Sequence, residues 1–183
     1  ASFVAADVDS GSTDDCAVTG LSVSPAGPFT AVGTYNVTLT VTDAAGNTDD
    51  CVAVVTVTDN NPPVALCQPV TIYLDASGNA SIVAADIDGG STDNGTIVSL
   101  VASQTAFDCS DLGTNNVTLT VTDDGGNTDD CIAVVTVVDA IDPSITCPAD
   151  VSVTTNSGCT ATGVVLGTPT SADNCSVASV TNN

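Results

Sequence analysis

Apolar and polar residues alternate strictly over residues 37–42, which read Val-Thr-Leu-Thr-Val-Thr. A period of two places the apolar side chains on one face of an extended chain and the threonines on the other, which predicts a half-buried β-strand. We expect the valines and the leucine of this stretch to point inward. Residues 43–47 follow with the Gly and Asn typical of a tight hairpin. The apolar run at residues 51–57 then predicts a partner strand in the interior of a sheet.

The same pattern occurs again 80 residues later. Residues 36–57 and residues 116–137 are identical at 19 of 22 positions, residues 3–15 resemble residues 82–94, and a third copy begins after Asp142. Self-similarity at a fixed period indicates an array of repeated units, and this period fits one small β-sandwich domain per unit. We expect a segment of a longer protein. The predicted units are a partial repeat at 1–59 that lacks its N-terminal strands, a complete repeat at 60–140, and the front half of a repeat at 141–183.

The composition favours an all-β fold, and the expected architecture is a tandem series of immunoglobulin-like antiparallel β-sandwich domains. The chain has no Lys, Arg, His, Met or Trp, and its 22 acidic residues are all Asp. An enzyme is not expected, because no basic side chain is present to act near neutral pH or to hold an oxyanion. The net charge of −22 argues against nucleic acid as a partner. No apolar run is long enough to insert into a membrane.

Aromatic residues make up only 3% of the chain, so an aliphatic core of this size needs additional stabilisation, and cysteine is the obvious source. We predict a disulfide between Cys67, before the first strand of the complete repeat, and Cys131, at the start of its last strand. We also predict a Cys159–Cys175 disulfide, because both positions lose Cys together in the second repeat. Cys51 and Cys147 occupy the positions equivalent to Cys131 and Cys67 in the flanking repeats. Disulfides on this scale indicate an extracellular protein.

Two further cysteines have no assigned partner. Cys16 aligns with Cys175 of the third repeat, whereas Cys109 has no counterpart in the first repeat. For Cys109 two interpretations stay open, a buried free thiol and a disulfide to another chain. A zinc site is not expected, because the sequence has neither a Cys-x-x-Cys pair nor a His.

Three motifs together resemble the hyalin repeat. They are Cys147-Pro148 before a strand, Asp-Asn-Cys at residues 173–175, and Val-Thr-x-Thr-Val-Thr-Asp-x-x-Gly-Asn-x-x-x-Cys at the end of the complete unit. The motif Ala-Ala-Asp-Ile-Asp-x-Gly-Ser at residues 84–91 is similar to the repeats of giant surface adhesins of gliding bacteria that use type-nine secretion. The resemblance implies an immunoglobulin-like module that serves attachment or filament building at the cell surface. Gly95 replaces the mid-domain Cys of the family.

The aspartates are concentrated in short loops. The spacing Asp-x-Asp-x-Gly-x-x-Asp brings hard oxygen ligands together beside a Gly, as calcium sites do. Calcium is therefore the one cofactor we expect. The alternative is that these residues form turns by hydrogen bonding to their own backbone. The candidate ligands are Asp86, Asp88 and Asp93, the equivalent Asp7, Asp9 and Asp14, and the linker residues Asp59 and Asp139.

Two functions remain for such an array. It is either a structural stalk or surface filament that provides reach and rigidity, or a series of binding modules for glycan or another surface. The near-identity of the hairpin blocks favours the stalk. Its expected partners are the neighbouring repeats of the same chain and further copies in a homo-oligomeric filament. Exposed aromatic side chains on one face would favour the binding module.

Overall fold

The computed structural model describes residues 3–155, 158–159 and 161–181, and these residues confirm the all-β expectation. The longest helical segment is the single turn Ala5–Val8, and two 3-10 turns lie at Ala84–Asp86 and Cys109–Asp111. The strands are β1 (Val18–Ser24), β2 (Gly33–Asp43), β3 (Thr48–Val57), β4 (Val70–Tyr73), β5 (Asn79–Ser81), β6 (Ile97–Ala102), β7 (Ala106–Asp108), β8 (Gly113–Asp123), β9 (Thr128–Val138), β10 (Ser144–Thr146) and β11 (Thr170–Ala172).

The chain divides into two compact units. Unit 1 comprises residues 1–64, 91–99 and 121–129, and unit 2 comprises residues 65–90, 100–120 and 130–183. Each unit therefore combines stretches that are distant in sequence. The linear repeat boundaries at residues 59 and 140 stay a prediction.

Unit 1 contains the three-stranded antiparallel sheet β1-β2-β3. Its strands form because alternating Val, Leu and Thr side chains suit a pleated surface with one buried face. Val37 and Leu39 of β2 are buried, as expected, whereas Val41 is only half-buried. Phe29 is also buried, and it stacks on Tyr35 with ring centroids 4.3 Å apart. The threonines between the apolar residues are half-buried, not fully exposed.

A four-stranded sheet has the order β4-β9-β8-β6. Val117, Leu119 and Val121 of β8 are completely buried, and the same alternation on β9 buries every second residue from Ala133 to Val137. Strand β4 runs parallel to β9, so this sheet departs from the expected purely antiparallel arrangement. The two-stranded sheets β5-β7 and β10-β11 lie in unit 2.

The expectation of an interior strand is right for β9 and wrong for its copy β3. Strand β9 lies between β4 and β8, whereas β3 is at the edge of its sheet among the strands described. Val55 on the inward face of β3 is consequently only half-buried, whereas its copy Val135 is completely buried. Near-identical sequences thus take different positions because β9 has β4 as a neighbour and β3 has no such strand within residues 3–64.

The structure joins Cys67 to Cys131, the pair expected from the sequence. The two Cα atoms are 5.7 Å apart, and the bond closes a separation of 64 residues. Both cysteines belong to unit 2.

The expected Cys159–Cys175 bond is not formed, because Cys175 bonds to Cys109. The loop containing Cys175 packs on the turn at residues 75–79, where the Asn174 side chain donates to the backbone oxygen of Asp75 (3.2 Å). The neighbouring Cys109 sulfur lies 3.5 Å from the backbone oxygen of Asn174. Cys109 is therefore neither a free thiol nor linked to another chain. Exposed free cysteines are Cys16, Cys51, Cys147 and Cys159.

Candidate metal centre

The hairpin between β8 and β9 is organised around the buried carboxylate of Asp123, which is 1% exposed. One carboxylate oxygen accepts a hydrogen bond from the backbone N–H of Asn127 (2.7 Å), and the other accepts from the Asn127 side chain (2.8 Å). Burial raises the pKa of Asp123, but these hydrogen bonds outweigh it and hold the pKa below the ordinary value of 3.8. Asp123 is therefore a carboxylate anion at neutral pH.

The side chain of Asn127 also holds the linker that follows β3. Its amide nitrogen donates to the backbone oxygens of Asp59 (3.0 Å) and Asn61 (3.3 Å). The Asn94 side chain donates to Oδ2 of Asp59 (2.8 Å), and Oδ1 of Asp59 accepts from the N–H of Asn61 (3.0 Å). Linker, hairpin and the loop at residues 93–95 thus meet within unit 1.

Three carboxylates come together at this point. One oxygen from each of Asp59, Asp93 and Asp123 lies within 4.8 Å of the other two. The Oδ1 atom of Asp93 is fully enclosed and has no hydrogen-bond partner, while its Oδ2 atom accepts from the N–H of Gly95 (2.7 Å). A buried oxygen without a donor is unfavourable unless another group compensates its charge.

Gly95 leaves open a space that carboxylate oxygens surround. A Cβ atom at this position would lie 2.9 Å from Oδ1 of Asp124, 3.0 Å from Oδ2 of Asp59 and 3.1 Å from Oδ2 of Asp93. A cleft of about 630 Å³, which Asp59, Asn94, Gly95 and Asp124 help to line, gives access from solvent. The four carboxylates offer the all-oxygen donor set that hard divalent cations prefer.

The structure brings together some of the predicted ligands and separates others. Asp59 and Asp93 are in the cluster, but Asp86 and Asp88 are not. Asp86 accepts from the N–H of Val83 (2.7 Å), and Asp88 accepts from the N–H of Gly90 (3.3 Å). Both carboxylates accept hydrogen bonds from nearby backbone, as the turn alternative expects, and calcium binding at these two residues stays a prediction.

The equivalent aspartates of the first repeat also bond to their own backbone. Asp7 accepts from the N–H of Val4, and Asp9 accepts from the N–H groups of Gly11 and Ser12. Asp14 accepts from the N–H of Cys16 and forms an exposed group with Asp15 and Cys16.

A related arrangement surrounds Asp139 in unit 2. The Asn174 side chain donates to Oδ1 of Asp139 (3.1 Å), just as Asn94 donates to Asp59. The Oδ1 atoms of Asp173 and Asn174 are buried without a hydrogen-bond partner. Asp173 is equivalent to Asp93, so the same loop oxygen lacks a donor in two copies.

Asp123 and Asp124 are absent from the ligands expected from the sequence, because their segment is also typical of an ordinary hairpin. Asp123 ends β8, and the alternation of that strand places it on the buried face after Val117, Leu119 and Val121. The sequence signal for Asp123 is that an Asp occupies the next inward-facing position of a strand whose other inward-facing residues are apolar.

The comparisons with known proteins extend over most of the chain. No family model matches it. It is 30% identical to hyalin of Strongylocentrotus purpuratus over 148 residues, which cover 78% of this chain and 12% of hyalin. An endo-fucoidan hydrolase from glycoside hydrolase family 107 covers 74% of this chain, and 24% of that protein is matched, at 18% identity and a TM-score of 0.30. A TM-score this low supports no inference about fold or activity.

The similarity to hyalin supports a hyalin-like domain. The two disulfides agree with an extracellular location, since such bonds persist in oxidising compartments. Within the described residues, no helix has the length and apolar character needed to cross a bilayer.

Proposed function

We propose that this chain is a structural segment of an extracellular adhesin stalk or surface filament, which provides reach and rigidity for cell attachment. The observation that carries the proposal is the connectivity of the two disulfides. Cys67–Cys131 and Cys109–Cys175 interleave along the sequence, because Cys109 lies inside the first loop and Cys175 lies outside it. The second bond joins the predicted complete repeat to the repeat that follows.

Interleaved bonds limit how far the chain extends under tension. Without disulfides, 108 positions separate Cys67 from Cys175 along the backbone. With both bonds, the shortest covalent path crosses from Cys67 to Cys131, returns to Cys109 over 22 positions, and crosses to Cys175. Either bond alone leaves a path of 42 or 44 positions. A stalk under load benefits from this covalent limit.

The placement of aromatic side chains also favours a structural role over the alternative of a binding module for glycan or another surface. Phe29 and Phe107 are buried, and Tyr35 stacks on Phe29. Tyr73 is 63% exposed but has no aromatic partner among the described residues. Binding surfaces more often cluster exposed aromatic rings. In this proposal the chain supports attachment, catalyses no reaction, and acts with neighbouring repeats and further copies in a filament.

Single-molecule stretching of the full chain tests the proposal. At ~3.5 Å per residue, the segment between Cys67 and Cys175 extends to about 75 Å with both bonds and to about 380 Å after reduction. The double variants Cys67→Ser/Cys131→Ser and Cys109→Ser/Cys175→Ser each extend to about 150 Å. Oxidised protein that extends as far as reduced protein would contradict the load-bearing role. Saturable binding of the folded chain to a glycan array would instead support the binding module.

A further inference from the structure

We propose that Asp59, Asp93, Asp123 and Asp124 bind one calcium ion, which fastens the linker after β3 to the β8–β9 hairpin. This site differs from the Asp-x-Asp-x-Gly-x-x-Asp motif expected from the sequence, since its four ligands come from three separate segments: Asp59 from the linker, Asp93 from the loop, and Asp123 and Asp124 from the hairpin. The inference is independent of the stalk proposal, because it concerns only side chains within unit 1.

The distances suit a calcium ion. Two oxygens bound to the same ion at 2.3–2.6 Å lie at most about 5 Å apart. The contributing oxygens of Asp59, Asp93 and Asp123 are within 4.8 Å of one another. One oxygen each from Asp59, Asp93 and Asp124 also borders the space beside Gly95. An ion held by Asp59, Asp93 and Asp123 would therefore have Asp124 as its nearby fourth ligand.

The enclosed Oδ1 atom of Asp93 points to a cation independently of the cluster itself. This oxygen accepts no hydrogen bond and is sealed from solvent. The sequence contains no Lys, Arg or His, so no basic side chain can compensate its charge. The equivalent Oδ1 atom of Asp173 is enclosed in the same way, which shows that the feature accompanies the loop and is not peculiar to one copy.

Gly95 distinguishes this site from the equivalent positions in the other repeats. At the equivalent position the other repeats have Cys16 and Cys175, and Cys175 is bonded to Cys109. Only at residue 95 does the missing Cβ leave the space between the carboxylates open. We therefore expect one saturable site per chain, at Asp59 and Asp93, and weaker binding near Asp139 and Asp173.

The donor set favours calcium over other divalent ions. Carboxylate oxygens are hard ligands, so zinc and copper, which prefer imidazole or thiolate, are disfavoured. Magnesium requires near-ideal octahedral geometry at about 2.0–2.1 Å, whereas calcium accepts irregular carboxylate sets from separate segments. Bound calcium would also remove the mutual repulsion of four carboxylates.

Calorimetric titration of the full chain with calcium chloride tests the site, at an ionic strength held constant with sodium chloride. We expect one saturable site with a Kd in the range of about 10⁻⁴–10⁻³ M found for extracellular modules. Asp93→Asn and Asp124→Asn should each raise this Kd at least tenfold. Gly95→Ala should do the same, because its Cβ fills the space between the oxygens.

The matched control is Asp50→Asn, which removes the same charge from an exposed position in β3 outside the cluster. Its Kd should stay within twofold of the wild type. Asp124 is exposed, so its variant remains informative where the Asp93 variant misfolds. Amide exchange at residues 57–64 should slow when calcium is added to the wild type.

Three results would overturn the proposal. The first is the absence of saturable binding up to 10 mM calcium. The second is equal weakening in the Asp50 and Asp124 variants, which would mean non-specific attraction to a polyanion. The third is equal affinity for magnesium, which would contradict a site of calcium geometry.

Discussion

Aspartate performs several different tasks in this chain, although it is the only charged side chain. Asp9, Asp43 and Asp108 accept hydrogen bonds from N–H or O–H groups two to four residues further along the chain. These bonds hold the pKa of each carboxyl below 3.8, with the side-chain donors Ser12, Asn47 and Ser110 as the largest causes. Anionic turns of this kind tolerate the charge because the local backbone solvates it.

The first prediction concerns the turn at Asp108, where Ser110 donates both its hydroxyl (2.6 Å) and its N–H (2.7 Å) to Oδ1. Ser110→Ala should raise the pKa of Asp108 toward 3.8, because the largest stabilising contact of the anion is lost. A carboxyl with a lowered folded pKa stabilises the protein above its unfolded pKa, and this stability is lost as the pH falls through the folded pKa. The variant should therefore be less stable than the wild type above pH 3.8, and the difference should vanish in stronger acid.

Carboxyl NMR titration and urea unfolding between pH 2 and pH 6 would measure both effects. Ser144→Ala is a suitable control, since its hydroxyl donates to the backbone oxygen of Ala172 and not to a carboxylate. A difference between the Ser110 variant and wild type that persists unchanged at pH 2 would mean that the carboxylate is not responsible.

Among the elements, β2 and β8 show how one sequence responds to two surroundings. Their residues 37–43 and 117–123 are identical, yet Val121 is completely buried and its copy Val41 is half-buried. Local alternation thus determines which face of each strand turns inward, while the neighbouring strands determine how completely that face is covered.

The second prediction follows from the burial along β8 and β9. Leu119→Ala should lower the free energy of unfolding by about 2–5 kcal/mol, because it leaves a cavity at a completely buried position. Ile132→Ala removes a side chain of similar size from a position on β9 that is 64% exposed, and it should cost less than about 0.5 kcal/mol. Urea unfolding of the two variants measures the difference, and equal losses would show that the register of the sheet is wrong.

The strands and one disulfide were predictable from sequence, since they depend on local alternation and on repetition at a fixed period. The Cys109–Cys175 bond was not, because the contact between residues 75–79 and Asn174 that aligns the sulfurs spans about a hundred residues. The metal cluster was predictable in part. Asp93 is predictable from the spacing of its motif and Asp59 from its place in the linker, but their meeting with Asp123 depends on hydrogen bonds from Asn127 to a linker 66 to 68 residues away.

At the scale of the whole molecule, the charge of −22 has no opposing basic side chain. In most proteins added salt weakens attractive and repulsive pairs together, so its net effect on stability is small. Here the side-chain interactions that salt screens are all repulsive, and they favour expansion of the chain. Two exposed carboxylates about 4 Å apart repel by about 1 kcal/mol in water.

The last prediction is therefore that sodium chloride stabilises the folded chain at every concentration from 10 to 500 mM. Most of the gain should occur by about 150 mM, where the screening length has fallen to about 8 Å. Each kcal/mol of relieved repulsion corresponds to about 2–4 °C in Tm for a chain of this size. The double variant Asp50→Asn/Asp130→Asn, with two exposed charges removed, should show a smaller rise. The measurement is thermal unfolding in the presence of a chelator, so that divalent ions do not contribute, with tetramethylammonium chloride as the control for sodium-specific binding. A Tm that falls with salt, or a rise seen with sodium alone, would show that screening of like charges is not the cause.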